Sequence, residues 1–83
     1  IMTIKPEKLI KLVENALEMQ PNTISIDSNS ENTEAWDSLG HLSILIALDK
    51  AFNGKVGKIQ DMAMAKSIQT IMSLLDDNSL ELS

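Results

Sequence analysis

The first apolar series along the chain falls at Leu9, Leu12, Val13, Ala16 and Leu17. This is the i, i+3, i+4, i+7 rhythm of one buried helix face. Pro6 ahead of it suits a first helical turn, where a missing N–H costs nothing, and Glu7 favours the positive end of the helix dipole. The pattern predicts a helix over residues 6–19, closed by Pro21. The rhythm then breaks. Residues 20–37, QPNTISIDSNSENTEAWD, are rich in Asn, Ser and Thr and read as a long loop. Ile24, Ile26 and Trp36 are its expected anchors to the helices. A loop of this length in a small domain often serves function.

Helical spacing resumes over residues 38–52, SLGHLSILIALDKAF. Leu39, Leu42 and Ile46 share one stripe, while Ile44, Leu45, Leu48 and Phe52 fall on adjoining ones. Ordinary surface helices have a single apolar stripe of about 100° or a little more. This one is wider, so it is either central to the fold or offers apolar surface to something else. Asn53 and Gly54 are the expected stop. GKVGK at residues 54–58 reads as a connector, and Asp61-Met-Ala-Met as the start of a short helical turn. Ser67 is placed to cap a last helix in which Ile68, Ile71, Met72 and Leu75 are spaced for burial. Residues 78–83 are expected to fray. The expectation is a single all-α domain over residues 1–83, with its core at about 5–77 and Met2 as the natural start. Burial of each Leu or Ile contributes roughly 1.5–3 kcal/mol, so about a dozen of them can hold such a bundle without a staple.

Composition narrows the chemistry. The 83 residues contain no cysteine and one histidine, which excludes disulfides and thiolate metal sites and leaves little for zinc. The net charge of −5 argues against a nucleic-acid partner. That charge is uneven: residues 31–54 carry −3, against −1 for each flanking segment. A basic partner surface would be steered to the middle of the chain. No apolar run reaches the ~18 residues of a membrane span, and the start carries no signal-peptide core. The reading is of a cytoplasmic protein with no membrane and no nucleic acid among its partners.

Three chemical patterns fail on inspection. DSNSENTEAWDS places Asp27, Asn29 and Glu31 like calcium ligands, but the required glycine is Asn32 and the bidentate glutamate is Ser38. GKVGK lacks the phosphate-loop spacing. Ser38 and His41 stand one helical turn apart, yet a hydrolase needs an oriented base and an oxyanion hole that so short a chain hardly supplies. His41 reads as a partly exposed helix residue, at a contact surface. Met19, Met62, Met64 and Met72 read as core filler, with Met64 the exception if its flexible side chain faces a ligand or partner.

Asp37-Ser38-Leu39 opens the second helix, and LSILIALDKAF and DMAMAKSIQTIMSLL follow it in an acidic domain. This arrangement resembles the acyl carrier protein family over nearly the whole chain. The three-letter motif alone is weak; its place before an ALDKAF-type helix makes it specific. The resemblance implies a four-helix bundle of acyl-carrier type, with three main helices, a short third helix and a long loop between the first two. It implies that Ser38, flanked by Asp37, is esterified with 4′-phosphopantetheine from coenzyme A by a separate phosphopantetheinyl transferase. The terminal thiol would carry acyl or aminoacyl groups as thioesters from a loading ligase to downstream synthase or transferase enzymes. Such a protein is a monomer and not itself an enzyme. Leu39, Leu42 and Ile46, with Glu34, Asp37 and Met64, would face partners, and Ile44, Leu45, Leu48 and Phe52 would hold the core. Gly40, His41, Ser43 and Lys50 stand where fatty-acid carriers often show acids, which points to a stand-alone carrier in a specialised biosynthetic pathway. The Gly-Gly-His/Asp-Ser pattern of peptidyl carriers is absent before the serine. The competing readings are a cofactor-free interaction module in which Ser38 is only a helix cap and, within the family, a peptidyl or aminoacyl carrier.

Overall fold

In the computed structural model, which describes residues 5–80, the chain forms three α-helices and no strand. Helix α1 spans Pro6–Ala16, α2 spans Ser38–Ala51 and α3 spans Ile68–Asp77. Two 3-10 turns, Val56–Lys58 and Gln60–Met64, connect α2 to α3. Helix α1 packs against both α2 and α3, and the 3-10 turns close the remaining side against α2. The fold is all-α, as expected, and the predicted short helical turn at residue 61 is the second of these 3-10 turns.

Helical periodicity selected the core. Leu9 and Val13 of α1, Ile44 and Leu48 of α2, and Ile68, Ile71, Met72 and Leu75 of α3 are buried, joined by Ile24, Trp36, Phe52, Val56, Met62 and Ala65. Leu12, Ala16, Leu17, Met19 and Leu45 pack half-buried against this cluster. Ile26, an expected anchor, is instead exposed, because Ile24 alone turns inward.

All three helices end by the same device. In α1, Glu18 N–H donates to the Asn15 carbonyl at 3.1 Å and Met19 N–H to the Glu14 carbonyl at 2.9 Å. Asn53 and Gly54 repeat this pair of bonds on Lys50 and Asp49, as do Ser79 and Leu80 on Asp76 and Leu75. These are Schellman closures, which need a left-handed residue just past the helix. Here that residue is Glu18, Asn53 or Ser79, with φ of 56°, 57° and 57°. Two expectations change accordingly. Helix α1 stops at Ala16, before Pro21 can act, and Asn53 rather than Gly54 takes the closing position of α2. Past Asp77 the chain runs through this closure to Leu80, which packs half-buried against the core. Residues 1–4, with the expected start at Met2, and residues 81–83 lie outside the described residues.

The loop between α1 and α2 is held at several points. The buried Glu14 carboxylate accepts Thr23 N–H at 3.2 Å and Ile24 N–H at 3.1 Å through one oxygen. Farther on, Ser30 N–H donates to the Lys66 carbonyl and Ile68 N–H to the Ser28 carbonyl, stitching the loop to the start of α3. Glu14→Ala removes an acceptor from two backbone donors, one of them buried. Each such loss costs about 1–3 kcal/mol, so the variant is expected to lose about 2 kcal/mol or more in urea unfolding. Glu14→Gln, which keeps a carbonyl oxygen, should lose clearly less.

Candidate functional site

The loop delivers the chain to α2 through Trp36, Asp37 and Ser38. Asp37 has extended backbone and is the N-cap: its Oδ1 accepts Gly40 N–H at 2.8 Å. Its carbonyl accepts His41 N–H, also at 2.8 Å. Ser38 is therefore the first residue of the helix and does not cap it. Its side chain is exposed, and its hydroxyl has no hydrogen-bond partner among the described residues. A serine in this position presents a free nucleophilic oxygen on a fixed root. The adjoining first-turn amides make the surroundings favourable to an anion by ~0.3–1 kcal/mol. That is too little to activate the hydroxyl, so any chemistry at Ser38 needs an external catalyst.

His41 departs from expectation. It is buried, and its ring points into the core rather than toward a contact surface. Trp36 Nε1–H donates to His41 Nδ1 at 3.0 Å, and His41 Nε2 lies 3.0 Å from the Met62 carbonyl. The indole nitrogen is a donor only, so Nδ1 must accept and the imidazole proton must sit on Nε2, donating to Met62. The two rings lie within 16° of parallel, with centroids 6.2 Å apart. Both imidazole nitrogens are thus engaged, and His41 has none to offer Ser38 as a base. Its structural role is to tie the loop's end, through Trp36, to the second 3-10 turn. Its position on the 41, 44, 48 stripe of α2, shared with two buried residues, was the available signal.

Gly40 completes the support. A methyl group on its α-carbon would meet the Ala35 carbonyl oxygen and the Leu17 side chain. Glycine lets the loop and α1 approach α2 directly behind Ser38. Overpacking of this kind costs about 1–3 kcal/mol. Gly40→Ala is expected to lose stability in that range by thermal or urea unfolding, more than alanine's helix propensity returns.

The surplus apolar stripe of α2 remains in solvent. Leu39 is 75% exposed, Leu42 53% and Ile46 55%, and Met64 on the second 3-10 turn is 78% exposed. The His41–Met62 bond brings that turn against the first half of α2, so Leu42 and Met64 ride on adjacent elements. Glu31, Glu34 and Asp37 are exposed in the preceding loop. Ile44, Leu48 and Phe52 are buried and Leu45 half-buried, as the division of stripes anticipated. An apolar cavity of about 270 Å³ opens between Leu45, Val56, Ile59 and Met62.

In the loop, one of the side chains spaced like calcium ligands bonds to backbone instead. Asn29 Oδ1 accepts the N–H groups of Glu31 and Asn32, and Asn32 Oδ1 accepts that of Asn29. These oxygens fold the loop on itself, and no cluster of three metal-ligating side chains exists among the described residues. No helix among them is long and apolar enough to cross a membrane. No protein-family model, curated protein or solved structure matches the chain.

Proposed function

We propose that this protein is an acyl carrier: a cytoplasmic monomer that holds acyl or aminoacyl groups as thioesters on a 4′-phosphopantetheine arm at Ser38. One observation carries the reading. Asp37 caps α2, which leaves the Ser38 hydroxyl exposed and unpartnered at the first position of a rigid helix. A cofactor-free module that used Ser38 as its cap would place that oxygen on the helix amides instead. The residues around the site suit the proposal. A phosphodiester at Ser38 would lie beside first-turn N–H groups. The exposed stripe of Leu39, Leu42 and Ile46, with Met64, Glu34 and Asp37, would meet the transferase, a loading ligase and downstream enzymes in turn. In this reading the Gln60–Met64 turn stands for the short third helix of a four-helix carrier bundle. The cavity at Leu45 lies seven residues, or about 10 Å along the helix axis, from Ser38 and would shelter part of a tethered chain.

The arm's chemistry gives a direct test, because the chain has no cysteine. Incubation with coenzyme A and a broad-specificity phosphopantetheinyl transferase, followed by desalting and thiol titration, is expected to yield one thiol per chain. A chain that stays thiol-free after this treatment is not a carrier.

A further inference from the structure

Helix α1 and the second half of α2 line an open trough of about 550 Å³ whose floor is Leu12, Ala16 and Ala47 and whose rim carries Lys8, Lys11 and Lys50. Residues 8, 12 and 16 of α1 stand one turn apart on a single face, with residue 11 beside them, and 47 and 50 do the same on α2. The two small alanines create the depression. The lysines are exposed, and none forms an ion pair among the described residues. Three of the seven cations of a chain with net charge −5 are therefore collected, unpaired, around one apolar floor. Ala47 and Lys50 lie nine and twelve residues from Ser38, about 14–18 Å along the α2 axis.

We propose that this trough is a docking site for an acidic amphipathic helix of a partner protein, separate from the surface around Ser38. A small-molecule site buries 70–90% of its ligand, and this trough is open along its length, so it cannot enclose one. An amphipathic helix laid in it would set apolar side chains at i and i+4 on the Ala16–Ala47 floor and meet the lysine rim with its carboxylates. The rim supplies orientation and rate of encounter more than affinity. A second copy of this chain fits less well: its acidic segment at residues 31–37 is loop rather than helix, and α3 carries acids only at its last two positions, Asp76 and Asp77. The proposal does not depend on an arm at Ser38. It gives the molecule two poles, so that one protein could retain it while others visit the serine.

The test uses the full chain, ¹⁵N-labelled, titrated with a synthetic helical peptide bearing leucines on one face and glutamates on both flanks. The same peptide with lysines for glutamates, and sodium dodecanoate, are run alongside, and sedimentation reports self-association. The expected result is chemical-shift change centred on Lys8, Lys11, Leu12, Ala16, Ala47 and Lys50 with the acidic peptide only, weakening as salt rises. Reversing the rim in Lys8→Glu/Lys11→Glu/Lys50→Glu should weaken binding about tenfold, the effect of losing three exposed ion pairs. Ala47→Gln, which fills the floor and leaves the charges, should weaken it as well; circular dichroism checks that both variants fold. The proposal is overturned if the acidic peptide leaves these residues unmoved or shifts Leu39, Leu42 and Ile46 instead. Equal binding of the lysine peptide, saturable binding of dodecanoate alone, or a dimer that covers the trough would overturn it too.

Discussion

Ser38→Ala is expected to abolish attachment of the phosphopantetheine arm, and with it all carrier activity, while leaving the fold as stable as before. The two halves of this expectation have different causes. Attachment needs an oxygen that can attack the pyrophosphate of coenzyme A in the transferase's active site, and alanine has none. Stability is untouched because the Gly40 amide is already satisfied by Asp37 Oδ1 at 2.8 Å, and the serine hydroxyl holds nothing. A substitution at an exposed first-turn position should change stability by no more than about 0.5 kcal/mol. Asp37→Ala is the complementary variant. It removes the cap and should cost about 0.5–2 kcal/mol, while the hydroxyl itself remains. If Ser38→Ala instead lost cap-sized stability in a urea titration, the assignment of roles within this dipeptide would be reversed.

The largest effect on stability is expected at His41. Truncation to alanine strips the partner from the Trp36 indole N–H, takes one of two donors from the Met62 carbonyl, which keeps Ala65 N–H, and opens a cavity against α2. The unpaired indole N–H costs about 1–3 kcal/mol and the cavity adds to it, so a total of about 3 kcal/mol is expected. Domains hold only about 0.05–0.15 kcal/mol per residue, so this is a large share of what a chain this short has. For a domain of this size 3 kcal/mol corresponds to a fall in Tm of about 12–24 °C. His41→Phe separates the two causes, since it fills the space but pairs with neither group. It should still lose about 1–3 kcal/mol, the cost of the unpaired indole N–H. Combining it with Trp36→Phe, which removes the indole donor, should cost less than the sum of the two single changes. Strict additivity would mean that the Trp36–His41 bond contributes nothing.

How far the sequence could reveal these features varies with their physical origin. The core of α3 was fully legible, because Ile68, Ile71, Met72 and Leu75 announce one face by spacing and Ser67 announces the cap, which accepts Thr70 N–H at 3.0 Å. Helix ends were less so. Schellman closures built on Glu18 and Ser79 use residues that carry no left-handed signature, whereas Pro21, which does look like a stop, arrives after the helix has already ended. Asp37 and Ser38 are both good capping residues, and a register difference of one decides which hydroxyl or carboxylate faces the amides. Only coordinates resolve that choice. Buried polar groups were the main omission. Glu14 and His41 look like solvated residues when judged by type, yet both lie in the interior, where each satisfies a specific pair of backbone or ring atoms on other elements. The lysine rim was hidden for a related reason: Lys8 and Lys11 meet Lys50 only once α1 lies against α2.

The arrangement at Ser38 carries the functional account, since a rigid helix start, a neighbouring cap and an idle hydroxyl are what a carrier requires of its attachment point. Intact-mass measurement of the chain after incubation with coenzyme A and transferase, with fragmentation to locate the adduct, tests this most directly. The expected result is one added phosphopantetheine, placed on Ser38 and absent from Ser38→Ala. An unmodified wild-type chain, or an adduct that persists in the alanine variant, would contradict it.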